Sequence, residues 1–296
     1  MNTPLVTVIC LCHNQQKYVG AAIRSVLTQT YENIELIVVD DASTDGSQQE
    51  IESAIKDTNA KFISISEIRG NCAAFNQGFH MSKGQFIIDL AADDLLLPKR
   101  IEEGINDFAN ANKEVGVHFS DAFLINENGD IARTFYKRDI DGQLINSPAS
   151  GDVFESLIRS YFICAPTMMI KREVLDELNG YDEALTYEDF DFWIRSSRNF
   201  KYHFNVAPLV KKRDVPNSLG KTQFALRSKH LQTTFKVCNK ALDLCRNEQE
   251  YLALISRCKY EIKQCVKTLN LGLISKYRHL IKQCHRRLSS LSNMDK

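Results

Sequence analysis

Three acidic pairs stand where side chains could do chemistry: Asp40-Asp41, Asp93-Asp94 and Glu188-Asp189. The first two follow apolar runs, Ile34–Val39 and Phe86–Leu90, that read as buried strands. Open α/β sheets bind ligands beyond the carboxyl ends of their strands. Carboxylates at two such ends therefore imply a ligand cleft. The first strand–helix turn, His13-Asn14-Gln15, lacks the G-x-G-x-x-G of a dinucleotide site. Acidic strand ends also disfavour a bare phosphate site. They suit a nucleoside read through its base and hydroxyls, or a divalent cation, since Mg²⁺ and Mn²⁺ prefer oxygen ligands and need only one or two protein carboxylates. Each pair also has a plainer reading. Asp40-Asp41 opens a turn-forming D-D-A-S-T segment, and Asp93-Asp94 could simply enter a helix before Pro98. Glu188-Asp189 would stabilise a helix N-terminus by about 0.3–1 kcal/mol. A positioned carboxylate can also act as a general base.

The elements that must hold these groups alternate over the first hundred residues. Strands are predicted at Leu5–Leu11, Ile34–Val39, Lys61–Ile65 and Phe86–Leu90, with helices near Lys17–Gln29, Ser47–Lys56 and Cys72–Met81. Such alternation implies an open, mainly parallel sheet with helices on both faces. Pro98 suits a helical first turn. Val115–Asn126 reads as strand, and Asn128-Gly129 as a turn that a hairpin could follow. Arg133–Ser150 lacks a clean period, and so long a loop suggests acceptor contacts. Asp152–Tyr161, Lys171–Leu178 and Glu188–Arg198 look helical, the last with Phe192 and Trp193 inward.

Those same residues resemble family 2 glycosyltransferases, inverting sugar transferases of the GT-A fold. The likeness runs from Leu5 to Ser47, continues through Arg69–Glu102 and returns at Asn179–Arg195. It covers roughly the first 220 residues, with the segments in the family's order. The resemblance implies that Asp94 binds Mn²⁺ or Mg²⁺, and that Asp93 meets the donor ribose or the metal's surroundings. It puts Asp41 on the uracil or ribose edge, Asp40 behind it, and Leu11, Cys12, His13 and Asn14 around the base. It makes Asp189 the base that takes the acceptor's proton, with Glu188 or Asp191 in support. Asn76 and Arg213 fall in segments tied to the donor, and Lys212 is a second candidate phosphate contact. Three departures accompany the likeness. The family's D-x-D-D is here Ala91-Ala92-Asp93-Asp94. Phe75 replaces a basic residue in the G-x-S-A-A-R-N-x-G pattern, where nearby Arg69 could substitute. Val215 replaces the histidine of R-x-H-x-x-S, which here spans Arg213–Ser218.

The chain's 296 residues carry no net charge, yet ten Lys/Arg and two Asp/Glu fall in residues 251–296. An acidic body and a basic tail suit different partners. In the tail, Tyr251, Ile255, Cys258, Ile262, Cys265 and Leu269 form a short heptad seam. Gly272 interrupts it, and Leu273, Tyr277, Leu280, Cys284 and Leu288 resume it. The tail has three readings: helices packed on the domain, a dimerising coiled coil giving a homo-oligomer, or a surface helix on anionic lipid. The basic residues have few interleaved aromatics and no recognition motif, which argues against nucleic acid. Nine scattered cysteines form no C-x-x-C and read as reduced structural thiols of a cytoplasmic protein. No signal peptide opens the chain, and no apolar run approaches the roughly 20 residues needed to span a bilayer. Any membrane role would thus be peripheral, at the inner face. Residues 1–218 are expected to form a GT-A domain and 219–296 a helical basic extension.

The expected activity is inverting transfer of a sugar, from a UDP donor first of all, to a hydroxyl of a saccharide or lipid-linked saccharide in glycan or surface polysaccharide synthesis. A catalytically weakened nucleotide-sugar-binding or assembly subunit is the alternative, motivated by Ala91, Phe75 and Val215. A nucleotidyltransferase, which would release pyrophosphate rather than UDP, is a third reading.

Overall fold

A computed structural model describes residues 3–215, 226, 228 and 230–294. Two compact units emerge. One comprises Met1–Gly151, Ile163–Glu183 and Phe200–Val215; the other comprises Asp152–Phe162, Ala184–Asn199 and Pro216–Lys296.

The first unit is built on a nine-stranded sheet. The all-buried strand β1 (Val6–Cys12) pairs in parallel with β2 (Ile34–Asp41) on one side and with β4 (Phe86–Ala91) on the other. β3 (Lys61–Ile65) extends the β2 side. The chain thus moves outward through β2 and β3, then returns to β4 on the far flank of β1. The direction in which the sheet grows reverses between β1 and β4, which is where α/β sheets open a crevice. Helices cover both faces. Val6, Val8, Cys10 and Cys12 share a core with Val19, Ile23 and Val26 of α1 (Gln16–Leu27), Ile51 of α2 (Ser47–Ile55) and Ile101 of α4 (Arg100–Asn110). On the opposite face α3 (Asn71–Met81) comes so close that a Cβ on Gly78 would lie 2.7 Å from Ile9 Cγ2 and 3.1 Å from Val39 Cγ2.

Beyond β4 the sheet becomes mixed. Its order is β3-β2-β1-β4-β8-β6-β9-β5, with β7 (Ile131–Thr134) on β6 (Val115–Ile125). The long ladders are parallel: β1 to both neighbours, β2–β3, and β6 to β9 (Lys201–Arg213). Antiparallel pairing is confined to short stretches at β5 (Leu95–Leu96), β7 and β8 (Met169–Lys171). β7 realises the hairpin signalled by Asn128-Gly129. The acidic segment Asp93-Asp94 leads into strand β5 rather than a helix, and α4 starts only at Arg100, leaving Pro98 in the preceding turn. α6 (Arg172–Leu178) follows β8 directly.

The second unit is helical. α5 (Phe154–Arg159) and α7 (Asp189–Ser196) lie outside the first unit although both precede residue 218; they cluster with the C-terminal helices. Their buried faces, Phe154, Leu157, Phe190, Phe192 and Trp193, explain why. The C-terminal helices are α8 (His230–Leu244), α9 (Glu248–Lys267) and α10 (Gly272–Met294). Asn247 caps α9 by accepting the Glu250 N–H. Most of the heptad seam is spent inside this unit: Tyr251, Ile255, Cys258 and Cys265 of α9 and Leu273, Tyr277, Leu280 and Cys284 of α10 are buried, whereas Leu269 is exposed. All nine cysteines are buried and unbridged. No helix among the described residues is long and apolar enough to cross a membrane.

Candidate active site

The carboxyl ends of β1, β2 and β4 meet at one sheet edge, because Cys12 pairs with Asp40 and Leu11 with Ala91. Asp93 and Asp94 occupy the turn immediately after β4. Asp94 is buried, and its Oδ1 accepts the Arg213 backbone N–H at 2.7 Å. That bond brings the end of β9 to the acidic turn. The Arg213 side chain binds the same turn: Nε donates to Asp93 O at 2.9 Å, and Nη1 donates to Asn126 O and Glu127 O, each at 3.0 Å. Its guanidinium stacks 4.6 Å from the centre of the Tyr18 ring.

Burial, then the neighbouring Asp93 charge, pushes the Asp94 carboxyl up to about 7. Burial also raises Asp93. Two adjacent, desolvated carboxylates favour whatever neutralises them, a proton or a cation. Among the described residues no group of three or more His, Cys, Asp or Glu could enclose a metal. Asp93 and Asp94 offer oxygen donors only, the kind a hard divalent ion takes. Ala91, standing in place of the pattern's first carboxylate, is the last residue of β4 and adds no ligand.

Around the ends of β1 and β2, the predicted nucleotide residues knit two loops together. The His13 Nδ1–H donates to Asp41 O at 2.6 Å, and Asn14 Nδ2 donates to His13 Nε2 at 3.1 Å. Asn14, at φ +54°, uses Oδ1 to accept the Thr44 N–H and its own N–H to reach Ser43 Oγ. His13 and Asn14 remain exposed, whereas Leu11 and Cys12 are buried as part of β1. Burial, the largest influence, raises the Cys12 thiol to about 11. Asp41 accepts the backbone N–H groups of Arg69 and Gly70, each at 2.8 Å, and so fixes the entry to α3. A carboxylate offers about four acceptor positions, so Asp41 retains capacity for a ligand donor. Asp40 is fully buried; its Oδ2 accepts from Ser43 N and Gln48 Nε2.

Asn76 serves the protein's interior. Its Oδ1 accepts Tyr181 N at 2.8 Å, and its Nδ2 donates to Tyr181 O and Glu183 Oε1. Phe75 is fully buried and stacks on Tyr181 at 4.1 Å between centroids. No basic group could occupy that place without disrupting this stack. Arg69, six residues earlier, is exposed. Val215 is described, but Pro216–Ser218 of the late pattern lie outside the described residues.

Glu188 and Asp189 belong to the helical unit, where Glu188 is the N-cap of α7 and Asp189 its first residue. Asp191 is buried between Arg195 Nε and Lys240 Nζ, both at 2.6 Å, so it anchors α7 rather than facing a ligand. The residues before the pair are held by α8: Thr186 Oγ1 bonds Thr233 Oγ1 and His230 Nδ1, and the Tyr187 hydroxyl bonds Thr234. The first unit thus brings together Leu11, Cys12, His13, Asn14, Asp41, Asp93, Asp94 and Arg213 at one edge. Sequence patterns did not reveal Tyr18 beneath Arg213 or the Ser43 and Thr44 contacts of Asn14, because a single aromatic or hydroxyl in a loop carries no period.

The family model described as "Glycosyl transferase family 2" matches residues 7–178. An uncharacterized glycosyltransferase of Methanocaldococcus jannaschii is 30% identical over 222 residues, covering 73% of each chain. Among solved structures, S. aureus TarS 1-349 in complex with UDP-GlcNAc aligns with a TM-score of 0.67 at 13% identity, covering 99% of this chain and 92% of that one. The mannosyltransferase PcManGT from Pyrobaculum calidifontis, in complex with GDP-Man and Mn²⁺, aligns with a TM-score of 0.62 at 15% identity, covering 96% and 85%. These folds are alike at the level of the GT-A architecture.

Proposed function

Because the chain belongs to glycosyl transferase family 2, we propose that it moves a sugar from a UDP donor to a hydroxyl of a saccharide or lipid-linked saccharide, inverting the anomeric centre. The carrying observation is the acidic turn at the switch point of the sheet, where buried Asp94 accepts the Arg213 N–H beside the partly exposed Asp93. UDP-GlcNAc and GDP-Man complexes of structural relatives support a nucleotide-sugar donor.

In this reading Asp94 holds Mn²⁺ or Mg²⁺, with Asp93 beside it at the donor ribose. When bound, the ion stabilises negative charge on the departing diphosphate. Leu11, Cys12, His13, Asn14 and Asp41 receive the nucleoside, Asp41 accepting an N–H from the base edge. Arg213 keeps the acidic turn in place, and Asn76 acts through Tyr181 on the loop it pins. Asp189, supported by Glu188, takes the acceptor hydroxyl's proton as its oxygen bonds to the anomeric carbon and the bond to the diphosphate breaks. The setting is glycan or surface polysaccharide synthesis in the cytoplasm.

Release of UDP from UDP-sugars, with Mn²⁺ and with chelator, tests the reading. Metal-dependent UDP release supports it; the absence of turnover with every acceptor, alongside retained donor binding, would favour the weakened binding subunit. The buried Phe75, which removes a basic donor contact, is the observation on that side.

A further inference from the structure

The basic C-terminal helices carry a surface that the donor site does not use. Between residues 251 and 294 the sequence has one acid, Glu261. It is buried and spent on Arg257 at 2.8 Å, with the guanidinium stacked over Tyr161 and Phe190. Every other Lys or Arg in that stretch is exposed. They form ladders. Lys259, Lys263 and Lys267 recur every four residues along the exposed side of α9. Arg278, Lys282 and Arg286 do the same on α10, opposite its buried Tyr277, Leu280 and Cys284. Like charges four apart on a helix repel and destabilise it. No neighbouring acid in either ladder offsets this, so each is complementary to an external anionic surface.

Large apolar side chains lie among these charges. Tyr260 is 47% exposed, Val266 53%, Leu269 52% and Leu271 59%, the last three at the turn joining α9 to α10. Leu269 holds φ +56°, a left-handed conformation in which glycine is ordinary. An aqueous polyanion such as nucleic acid or an acidic polysaccharide would match the lysines but leave these side chains in water. A bilayer interface accepts both, with apolar groups at the headgroup–acyl boundary and Lys and Arg among anionic headgroups.

We propose that the α9–α10 turn docks this protein on an anionic phospholipid membrane, seating Val266, Leu269 and Leu271 in the interface with Lys263 and Lys267 on the headgroups. Nothing in this surface depends on the sugar-transfer reading. It selects the lipid-bound role among those the basic tail admits.

The test is flotation of the full chain with vesicles of phosphatidylcholine alone or with added phosphatidylglycerol. Flotation should require the anionic lipid and fall in high salt, which screens surface charge. Each lysine removed should lower partitioning roughly fivefold. K263E/K267E should therefore abolish flotation, and L269S/L271S should weaken it. All four positions are exposed, so melting temperatures should match wild type; K263Q/K267Q substitutes if charge reversal disturbs the helix. In L271W, brominated lipid should quench the new indole, while buried Trp193 is unaffected. The proposal is overturned by absent flotation with anionic vesicles, by flotation that both double variants retain, or by an unquenched indole. Lysine-dependent binding to duplex DNA without vesicle binding would identify a polyanion site instead.

Discussion

Asp94→Asn isolates the charge on which the proposed donor site rests while keeping the side chain's shape. The Asp94 carboxyl is raised from 3.8 to about 7, chiefly by burial and next by Asp93. The fold therefore holds a proton that the unfolded chain has released between those two values. Stability contributed by this group is full below the unfolded value, declines as pH rises toward 7, and is absent above it. A shift of about three units corresponds to roughly 4 kcal/mol between the two extremes. Asp94 is 3% exposed, so solvent screens little of this. Metal-free wild type should lose melting temperature between about pH 4 and pH 7. The variant should lose less across the same interval, because the substituted amide cannot ionise and Asp93 no longer meets a like charge. Mn²⁺ with UDP should recover wild-type stability, more at pH 8 than at pH 6, since a bound ion displaces the proton. It should do little for the variant. Thermal scans across pH and isothermal titration with UDP and Mn²⁺ read both effects. Identical pH profiles, or unchanged metal-dependent UDP affinity in the variant, would refute the assignment of Asp94.

The other expectations reach the rest of the molecule. Asp189→Asn should lower turnover by about 10²–10⁴ with donor affinity nearly unchanged; wild-type turnover with a slightly lower melting temperature would make Asp189 only a helix-start charge. His118 is fully buried against Asp107 at 2.8 Å, and burial lowers it to about 4. Its stability contribution is present above the unfolded value of 6.5 and is lost as pH falls toward 4. His118→Gln should thus flatten acid sensitivity in that window, measured by urea unfolding against pH. Gly78→Ala should cost about 1–3 kcal/mol through overpacking against Ile9, read as a lower midpoint in the same unfolding assay.

The first four strands and their acidic ends were legible because their signals are local. A run such as Val6–Cys12, apolar on both faces, is buried on both faces, and a carboxylate next in sequence to a parallel strand lies at its carboxyl end. β9 was not legible. Lys201–Arg213 contains Pro208, which argues against a strand interior, and the structure accommodates it opposite Asp121 where the register with β6 shifts. β5 has only two residues, too few to show a period, and it exists because β9 supplies its partner. The family resemblance places Asp41 and Asn76 at the donor. Their bonds to Arg69, Gly70 and Tyr181 arise from tertiary folding, which no spacing rule reports.

The strand hidden from the sequence is the one that completes the acidic turn. β9 reaches the Asp93-Asp94 turn at Arg213, which holds it through both its backbone and its side chain. Its N–H binds Asp94, while its guanidinium is spent on the carbonyls of Asp93, Asn126 and Glu127 rather than on the carboxylates. A guanidinium paired directly with Asp94 would lower that carboxyl and neutralise the pair. Bound to carbonyls, it fixes the turn's geometry, and although its charge and its N–H lower the neighbouring acids, burial outweighs them and leaves both raised. This raised, cation-seeking state costs stability in the free protein, and a divalent ion arriving with a diphosphate is the chemistry that would relieve it.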